Sequence, residues 1–560
     1  MAILRAFALK VESHMTDKTF AKLPYAFPET SVPSIDVAKS RVQFLSGIKP
    51  IRYHCCINSC CCFVGPHAES DHCPYCHEPR YSSGSDKVPR KTFAYLPVIP
   101  RLIAMCANAE NMKEMGYRAN EHVHIPGRTT DIFDSTHFRS LLGKRVVING
   151  QEVPYTYFSD SRDIALGLAT DGFGPFKHRK STAWPLILFN YNLGPENRMH
   201  IDKIVPIGVI PGPKKPVDMD SFEWPLIEEL NQLQLGVRAY DGLKQELFLL
   251  RAFLILAFGD IPAVSMLMCM KGHNGFSPCR MCKITGVCVP GSRGTTLYVP
   301  LDRSQHPDVL ASPSNIRAYD PCALPLRSEE EMLRQGEEVM LAPTKTKSDK
   351  LSRAYGIKGV PLLAELKSLS FPHSFPYDFM HLIWENCVDN LILLWTGNFK
   401  GLDEGDEEYQ LDSKVWDAIG AATAASGSTI PSAFGARPPN FMTQKSACSA
   451  ETWSFWTLFL GPILLRRRFR KRKYYNHFVE LIKLIHICLQ FEISDDEIDF
   501  LRTGFIKWVK DYEESVRSSF VISVSNSQCA AFTTNMTHSG WQRAHSRSMH
   551  CSILQIALKQ

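Results

Sequence analysis

Apolar residues in the middle of the chain form short runs separated by turn residues. Three β-rich runs lie between residues 164 and 216, namely IALGLATDGF, AWPLILFNYNLG and IVPIGVIPGPKKP. Their composition and spacing predict a meander of strands. The next segment, DSFEWPLIEELNQLQLG, has apolar residues at helical spacing and a glycine stop, which predicts a helix. The run FLILAFGD then fits a strand beside the first three, so the pattern predicts an α/β core.

Helical spacing dominates again between residues 452 and 514, which predicts a mainly helical region after the core. The segment before it, GAATAASGSTIPSAFGARPP, is rich in Gly, Ala and Ser and is predicted to be flexible. At the other end of the chain, MTDKTFAKLPYAF predicts a helical lead-in followed by a connector.

Length and composition are typical of a soluble globular protein with two to four domains. The chain has 560 residues, of which 44% are hydrophobic and 21% are charged. Its longest apolar runs, 247–258 and 453–465, are too short to cross a bilayer, so we expect no membrane span. The net charge of +6 permits a polyanionic partner without requiring one.

One short segment is far more basic than the rest of the chain. The string RRRFRKRKYY holds seven cations in eight residues. Such a run favours contact with DNA phosphates or nuclear import, and the alternative is a solvated helix face. The predicted DNA-binding residues are Arg466, Arg467, Arg468, Arg470, Lys471, Arg472 and Lys473.

Seven of the 18 cysteines lie in the stretch HCCINSCCCFVGPHAESDHCPYCHEPRY. Because the chain opens with no charged-then-apolar signal segment, we expect a reducing compartment, where clustered cysteines usually bind metal. Two pairs, Cys56 with Cys60 and Cys73 with Cys76, are separated by twelve residues, a spacing that can wrap a structural zinc ion in four thiolates. The alternative is a set of buried free thiols. Nearby residues leave the choice of ligands open, namely His54, Cys55, Cys61, Cys62, His72 and His77.

A second cluster, CMKGHNGFSPCRMC, supplies a weaker zinc pattern. It contains one Cys-x2-Cys pair, Cys279 and Cys282, and His273 or Cys269 could complete a ligand set. The alternative is a turn that only packs against the rest of the protein.

Two aspartates end β-rich runs, Asp171 in GLATDGF and Asp260 in LILAFGD. A single aspartate at a strand end is usually a turn residue. Two carboxylates at the ends of adjacent strands, however, provide the oxygen ligands that Mg²⁺ prefers. Two such ions, about 3.5 to 4 Å apart, can activate an attacking hydroxyl and stabilise the leaving oxygen in phosphodiester chemistry.

Long strings of the sequence resemble the transposases of CACTA-type (En/Spm) DNA transposons in their fungal form. The similarity lies in the segment from TDGFGPFKHRKSTAWPLILFNYN to FEWPLIEEL, in GDIPAVSMLMCMKGHNGFSPCRMC and in FPYDFMHLIWEN. The family also carries YD-x-C-x3-C and CPxC-x3-R upstream, where this chain has His54 in place of the aspartate. The resemblance extends from about Phe20 to Glu514.

The resemblance implies an RNase H-like catalytic core of the DDE type. Asp171 and Asp260 match the first two acids, and Asp378 with His381 matches a supporting Cys/Asp-x2-His element. The alternative is that Asp378 and His381 are only a surface pair, because residues at i and i+3 of a helix face the same side. The family's third acid, a glutamate in a Trp/Phe-x-x-Glu-Arg context, is absent from the tail, which has no Asp or Glu after residue 514. We interpret the tail as truncated or frame-shifted, and Glu385 is the nearest substitute.

These observations predict a transposase-like protein whose ancestral reaction is the metal-dependent cleavage and transfer of strands of transposon-end DNA. It would contain structural zinc and catalytic Mg²⁺ or Mn²⁺, lie in the nucleus and bind no membrane, with a homo-oligomer left open. The alternative is a catalytically inactive, zinc-dependent DNA-binding or interaction protein. Nucleotide hydrolysis has no support, because the sequence contains no Gly-x4-Gly-Lys-Ser/Thr loop. The predicted parts are a lead-in (1–50), a zinc-binding module (51–90), a mixed linker (91–163), the core with the second Cys/His cluster at 269–288 (164–400), a flexible segment (401–450), a helical region (451–515) and an aberrant tail (516–560).

Overall fold

The computed structural model describes residues 2–29, 32–84, 86–175, 181–288, 297–398, 408–431, 434–435, 437–444 and 447–517. The predicted tail therefore lies outside the described residues except for its first two positions. The strands are β1 (Ile51–His54), β2 (Thr92–Tyr95), β3 (Arg128–Thr129), β4 (Arg145–Ile148), β5 (Gln151–Thr156), β6 (Ile164–Thr170), β7 (Ala183–Asn190), β8 (Val205–Pro211), β9 (Val237–Asp241), β10 (Glu246–Leu250), β11 (Ala252–Phe258), β12 (Val287–Cys288), β13 (Leu297–Tyr298) and β14 (Ile493–Ser494).

Helices surround the strands and fill most of the C-terminal part. The α-helices are α1 (Ala2–Glu12), α2 (Asp17–Phe20), α3 (Leu23–Ala26), α4 (Ile35–Ser46), α5 (Ile99–Cys106), α6 (Ala109–Glu114), α7 (Thr136–Leu141), α8 (Asp220–Leu235), α9 (Ile261–Leu267), α10 (Pro307–Leu310), α11 (Glu329–Met340), α12 (Lys345–Tyr355), α13 (Asp389–Trp395), α14 (Ser413–Ser426), α15 (Ala450–Phe455), α16 (Gly461–Leu464), α17 (Arg472–Cys488) and α18 (Asp495–Arg517). Short 3₁₀ helices span Gly65–His67, Ile132–Asp134 and Leu362–Glu365, and π-helices span Tyr117–Glu121, Met380–Val388 and Trp456–Leu460.

A six-stranded mixed sheet forms the centre of the protein, in the order β1-β2-β8-β7-β6-β11. The predicted meander is present, because β6, β7 and β8 pair antiparallel in sequence order. The strand predicted after the helix is β11, and it pairs parallel to β6. The fold is therefore mixed α/β, with helices packed against a mixed sheet.

Alternating side chains of the central strands fill two cores, one on each face of the sheet. On one face, Leu166 and Leu188 pack in a core with Phe222 and Leu226 of α8. On the other face, neighbouring strand positions pack with the aromatic residues of the segment before β6, as in the core that joins Phe253 to Phe138 and Phe158. Burial on both faces explains why these strands read as continuous apolar runs.

The cysteine-rich segment is joined to the sheet through its flanking strands. β1 precedes the cysteines, β2 follows them, and the two pair antiparallel from Ile51–Tyr95 to His54–Thr92. β2 then pairs with β8. The predicted boundary at residue 90 consequently does not interrupt the sheet.

The C-terminal helices share a core rich in tryptophan. Trp384, Trp416 and Trp456 are fully buried in it, together with Phe478 of α17. The structure differs here from the predicted flexible segment 401–450, because α14 lies within it. Alanine has the highest helix propensity, Asp412 caps the helix by accepting the Lys414 N–H, and Trp416 anchors it in the core.

Within the described ranges, no helix has the length and apolar character needed to cross a membrane. None of the described cysteines forms a disulfide.

Candidate active site and metal centre

The parallel pairing of β6 and β11 brings Asp171 and Asp260 to one edge of the sheet. Asp171 directly follows β6 and Asp260 lies two residues after β11, and the strands are in register at Ala169 and Phe258. Both aspartates line a cavity of about 280 Å³ that Asp378 and His381 also line. The other lining residues are Ala169, Thr170, Pro185, Ile187, Phe258, Gly259 and Met380.

Asp260 has a fixed orientation because it caps helix α9. One oxygen of its carboxylate accepts the Ala263 N–H at 2.6 Å. Burial raises the pKa of Asp260, and the negative charges of Asp171 and Asp378 raise it further. The Ala263 N–H and the charge of His381 act in the opposite direction and lower it. Asp171 is exposed to solvent at the cavity. The site thus has one anchored and one accessible carboxylate.

A glycine permits the close approach of the two strand ends. A Cβ atom on Gly259 would lie 2.2 Å from the Thr170 carbonyl oxygen, well inside van der Waals contact. Thr170 directly precedes Asp171. Any larger residue at 259 would therefore move the backbone that positions both aspartates.

Asp378 and His381 form an ion pair at the start of the Met380–Val388 π-helix. The Asp378 Oδ1 accepts the His381 backbone N–H at 3.2 Å and lies 3.4 Å from the His381 Nδ1. Burial alone would lower the pKa of His381, but Asp378, with Glu385 and Asp171, raises it to about 9. Burial alone would raise the pKa of Asp378, but His381 reverses the shift and lowers it. Each residue of the pair therefore favours the charged form of the other, the imidazolium of His381 and the carboxylate of Asp378.

Glu385 lies next to this pair but not in the cavity wall. Its Oε2 is 3.7 Å from the His381 Nε2, and its side chain is 45% exposed. It is not among the residues that line the cavity. Its role as a third acid stays a prediction.

The carboxylates suit a hard divalent ion in their chemistry, since Mg²⁺ and Mn²⁺ prefer oxygen donors. They are spread around the cavity, however. Within the described part of the chain, the only metal-competent group of three or more ligands that lie within 4.8 Å of one another is the cysteine cluster. Asp171 and Asp260 line the cavity together, with one residue after each of two parallel strands.

The cysteine cluster is formed by Cys56, Cys60, Cys73 and Cys76, the four residues that the spacing predicts. Their sulfur atoms all lie within 4.8 Å of one another, and those of Cys56 and Cys76 are 3.4 Å apart. Two residues in the left-handed region shape the turns around them, Ser59 with φ of 64° and His77 with φ of 60°. A buried cluster of four thiols in this arrangement could hold a metal such as zinc.

Hydrogen-bond donors lower the pKa of one cysteine of the cluster, Cys76. Burial raises the pKa of Cys76, but the Glu78 N–H and the Asn58 amide outweigh burial and lower it to about 7. Burial dominates at Cys56 and raises its pKa to about 11. A bound cation would stabilise all four thiolates, because zinc ligands bind in their deprotonated form.

The nearby alternative ligands have other contacts. His54 accepts the Arg80 Nε–H at 3.0 Å through its Nδ1, and Cys55 forms a β-bridge with Cys62. Cys61 comes nearest, with its sulfur 3.9 Å from that of Cys73. Arg80 thus holds His54, whereas Cys61 lies close to the clustered sulfur atoms without belonging to their group of four.

The loop of the cysteine cluster is anchored to the sheet and to α8. The Cys60 carbonyl accepts the N–H groups of Val217 at 3.1 Å and Asp218 at 2.9 Å. The Cys62 N–H donates to the Ser221 hydroxyl at 2.9 Å. The metal site is therefore attached to the segment that links β8 to α8.

The second cysteine cluster does not gather a ligand set in the described residues. Cys279 and Cys282 are buried together, but no third ligand joins them in a group of three. Cys269 lies elsewhere, with its thiol donating to Asp220 at 3.6 Å. His273 is not part of such a group either. The predicted second zinc site is thus reduced to a cysteine pair.

The basic run lies in the turn before α17 and extends into its first residues. All seven cations are exposed, whereas Phe469 and Tyr474 are buried and anchor the segment. Lys471 forms an ion pair with Glu408. Arg472 and Lys473 begin α17, where cations are unfavourable because the N-terminus of a helix carries partial positive charge. An anion bound there would remove this cost.

Two buried residues near the cavity were not singled out from the sequence, Arg280 and Tyr377. Arg280 lies inside the PCRMC motif, and Tyr377 directly precedes Asp378. The guanidinium carbon of Arg280 is 3.4 Å from the centre of the Tyr377 ring. Two sequence features could have drawn attention to them. Arg280 lies between two cysteines, and Tyr377 directly precedes Asp378.

Residues 150–299 match the family model described as Transposase family tnp2. No curated protein matches the chain. The matched stretch contains β6, β7, β8, α8, β11 and α9, and hence both Asp171 and Asp260. This similarity supports a transposase-like function and, with it, a DNA partner.

Proposed function

We propose that the chain is a DNA transposase of the CACTA type, in its fungal form, with an RNase H-like core of the DDE class. Its ancestral reaction would be the metal-dependent cleavage and transfer of strands at transposon ends. The observation that carries the proposal is the meeting of Asp171 and Asp260 at one sheet edge, inside the stretch that matches the transposase family.

The order of the central strands supports the RNase H-like interpretation. Three antiparallel strands, β6, β7 and β8, are followed by β11 parallel to the first of them. Since carboxyl ends of parallel strands meet at one edge, a residue after each can share a site. An RNase H-like core uses this arrangement for its first two acids.

The residues around the cavity have distinct roles in the proposed reaction. Asp171 and Asp260 would hold Mg²⁺ or Mn²⁺, which when bound would activate the attacking hydroxyl and stabilise the leaving oxygen. The Ala263 N–H keeps the Asp260 carboxylate in place. The imidazolium of His381, held by Asp378, supplies positive charge that favours an approaching phosphodiester.

Asp171→Asn is expected to abolish divalent-metal binding at the cavity. The substitution removes the accessible carboxylate and leaves a neutral amide, which is a poorer ligand for a hard cation. Titration of the full chain with Mn²⁺, followed by the loss of the free-ion electron paramagnetic resonance signal, measures the binding. Asp202→Asn, which changes an exposed aspartate outside the cavity wall, should bind Mn²⁺ like the wild type. Equal affinities in all three proteins would refute the proposed metal site.

The 560-residue chain itself is expected to nick transposon-end DNA slowly or not at all. No glutamate joins Asp171, Asp260 and Asp378 in the described cavity wall, and a misplacement of about 1 Å can already cost ~10²-fold in rate. A nicking assay on the terminal repeats with Mn²⁺ tests this expectation. Rapid nicking that Glu385→Gln removes would identify Glu385 as the third acid.

The absence of a glutamate from the described cavity wall favours a second candidate function, a catalytically inactive, zinc-dependent DNA-binding protein. Such a protein would still bind zinc through the cysteine cluster and DNA through the basic run, but it would not cleave DNA. Terminal-repeat binding without nicking, even after the family's C-terminal segment is added to the chain, would favour this candidate. Both candidates place the protein in the nucleus.

The basic run is expected to give DNA binding a steep salt dependence. Each phosphate neutralised should contribute about −0.9 to the slope of log affinity against log salt concentration, because condensed counterions are released. Replacing Arg466, Arg467, Arg468 and Arg470 with serine should therefore flatten the slope measured by fluorescence anisotropy. The matched control replaces Lys244, Lys345, Lys347 and Lys350, four exposed lysines far away in sequence, with serine. An unchanged slope in the arginine variant would assign the run to nuclear import or to a solvated face.

A further inference from the structure

The PCRMC segment packs directly against the residue that precedes Asp378. The Cys279 sulfur is 3.6 Å from the Tyr377 hydroxyl, and the Arg280 guanidinium lies over the Tyr377 ring. Tyr377 is 2% exposed and lies in the core of the C-terminal helices. The segment predicted to bind a second zinc thus contacts the residue next to Asp378.

Internal hydrogen bonds hold this segment in a tight turn. The N–H groups of Met281 and Cys282 both approach the Cys279 sulfur, at 3.3 and 3.4 Å. Arg327 closes the turn from the other side, because its Nε–H reaches the carbonyl oxygens of Cys279 at 2.9 Å and Cys282 at 3.2 Å. The Arg327 Nη2 also donates to the Ser277 hydroxyl at 2.8 Å. The protein groups alone therefore account for the turn.

Arg280 is an unusual buried cation. It is 4% exposed, and its Nε and Nη2 atoms have no hydrogen-bond partner among the described residues. Burying a cation without a partner is costly, so an arginine in such a place needs a compensating role. The guanidinium contacts the face of Tyr377, a favourable cation–π arrangement, and the negative charges of Asp378 and Asp260 act on it.

We propose that Arg280 is a positioning residue of the acidic site. Its planar guanidinium, stacked on Tyr377, fixes the Tyr377–Asp378 backbone and thereby the place of the Asp378 carboxylate beside Asp260. Arg280 does not line the cavity, so it acts through Tyr377 and makes no contact with substrate. The proposal rests on the proposed function, because it assumes that the acidic cavity holds a divalent ion.

Arg280→Lys separates this role from simple charge, since lysine keeps the positive charge but lacks the planar group that stacks on the ring. We expect the full chain with this substitution to bind Mn²⁺ ~10-fold more weakly, as is typical when a group that supports metal ligands is changed. Zinc content should stay unchanged. Arg303→Lys is the matched control, because Arg303 is a buried arginine that lies 5.3 Å from the centre of the Tyr319 ring and is not in the cavity wall. The control variant should have a lower melting temperature but should bind Mn²⁺ as tightly as the wild type.

A second pair of variants keeps the test valid if Arg280→Lys does not fold. Tyr377→Phe retains the ring and should keep the wild-type Mn²⁺ affinity, whereas Tyr377→Leu removes the ring and should weaken binding as Arg280→Lys does. Wild-type affinity in Tyr377→Leu and in a folded Arg280→Lys would overturn the positioning role while leaving the proposed function intact. Absence of Asp171-dependent Mn²⁺ binding in the wild type would overturn both.

Discussion

Replacing Cys73 and Cys76 with serine is expected to remove one zinc ion per chain and to unfold the segment between β1 and β2. The four sulfur atoms lie within 4.8 Å of one another, close enough to hold one metal ion. We expect the bound ion to stabilise this segment. Structural zinc contributes ~10 to 16 kcal/mol of apparent binding free energy in zinc-finger peptides at neutral pH. Because Cys60 also anchors the segment that links β8 to α8, the loss should lower the melting temperature of the whole chain.

Elemental analysis of the purified full chain measures zinc, and circular dichroism measures the melting temperature. Cys55→Ser and Cys106→Ser are matched controls, since both thiols are buried and neither belongs to the cluster. Both controls should retain one zinc ion. A wild-type chain without zinc, or a double variant that keeps it, would show that these cysteines are buried free thiols.

Gly259→Ala is expected to disable the acidic site. The new Cβ would lie 2.2 Å from the Thr170 carbonyl oxygen, and a backbone atom cannot rotate away as a side chain can. The ends of β6 and β11 must therefore move apart, which separates Asp171 from Asp260. Because this displaces the metal ligands, we expect Mn²⁺ to bind ~10- to 100-fold more weakly. We also expect an overpacking cost of ~1 to 3 kcal/mol in the free energy of unfolding.

Mn²⁺ titration measures the site, and chemical denaturation measures the free energy of unfolding. Gly143→Ala is the matched control, because no atom lies within 4 Å of its added Cβ. This control should match the wild type in both measurements. If Gly259→Ala binds Mn²⁺ as tightly as the wild type, the two aspartates do not depend on the close contact between the strands.

The sequence predicted the central strands because their composition reflects burial. β6, β7, β8 and β11 are apolar on both faces, and helix α8 has its apolar residues at helical spacing before Gly236. The four cysteines were predicted from spacing because ligands of one ion must come from short loops. α14 was missed because Gly and Ser obscured the alanine pattern and because its anchor, Trp416, is a tertiary contact.

The sequence by itself determined the local features of this protein. These are the strand meander, the helix after it, the two cysteine pairs and an aspartate at the end of each of two strands, because each depends on residues close together in the chain. Only the tertiary structure decided which of these features meet. The parallel pairing of β6 with β11 joins Asp171 to Asp260, and the packing of Arg280 on Tyr377 connects a cysteine turn to Asp378. Such contacts join residues about 90 to 100 positions apart, and no local periodicity encodes them, because they form only when separate elements bury their apolar faces together.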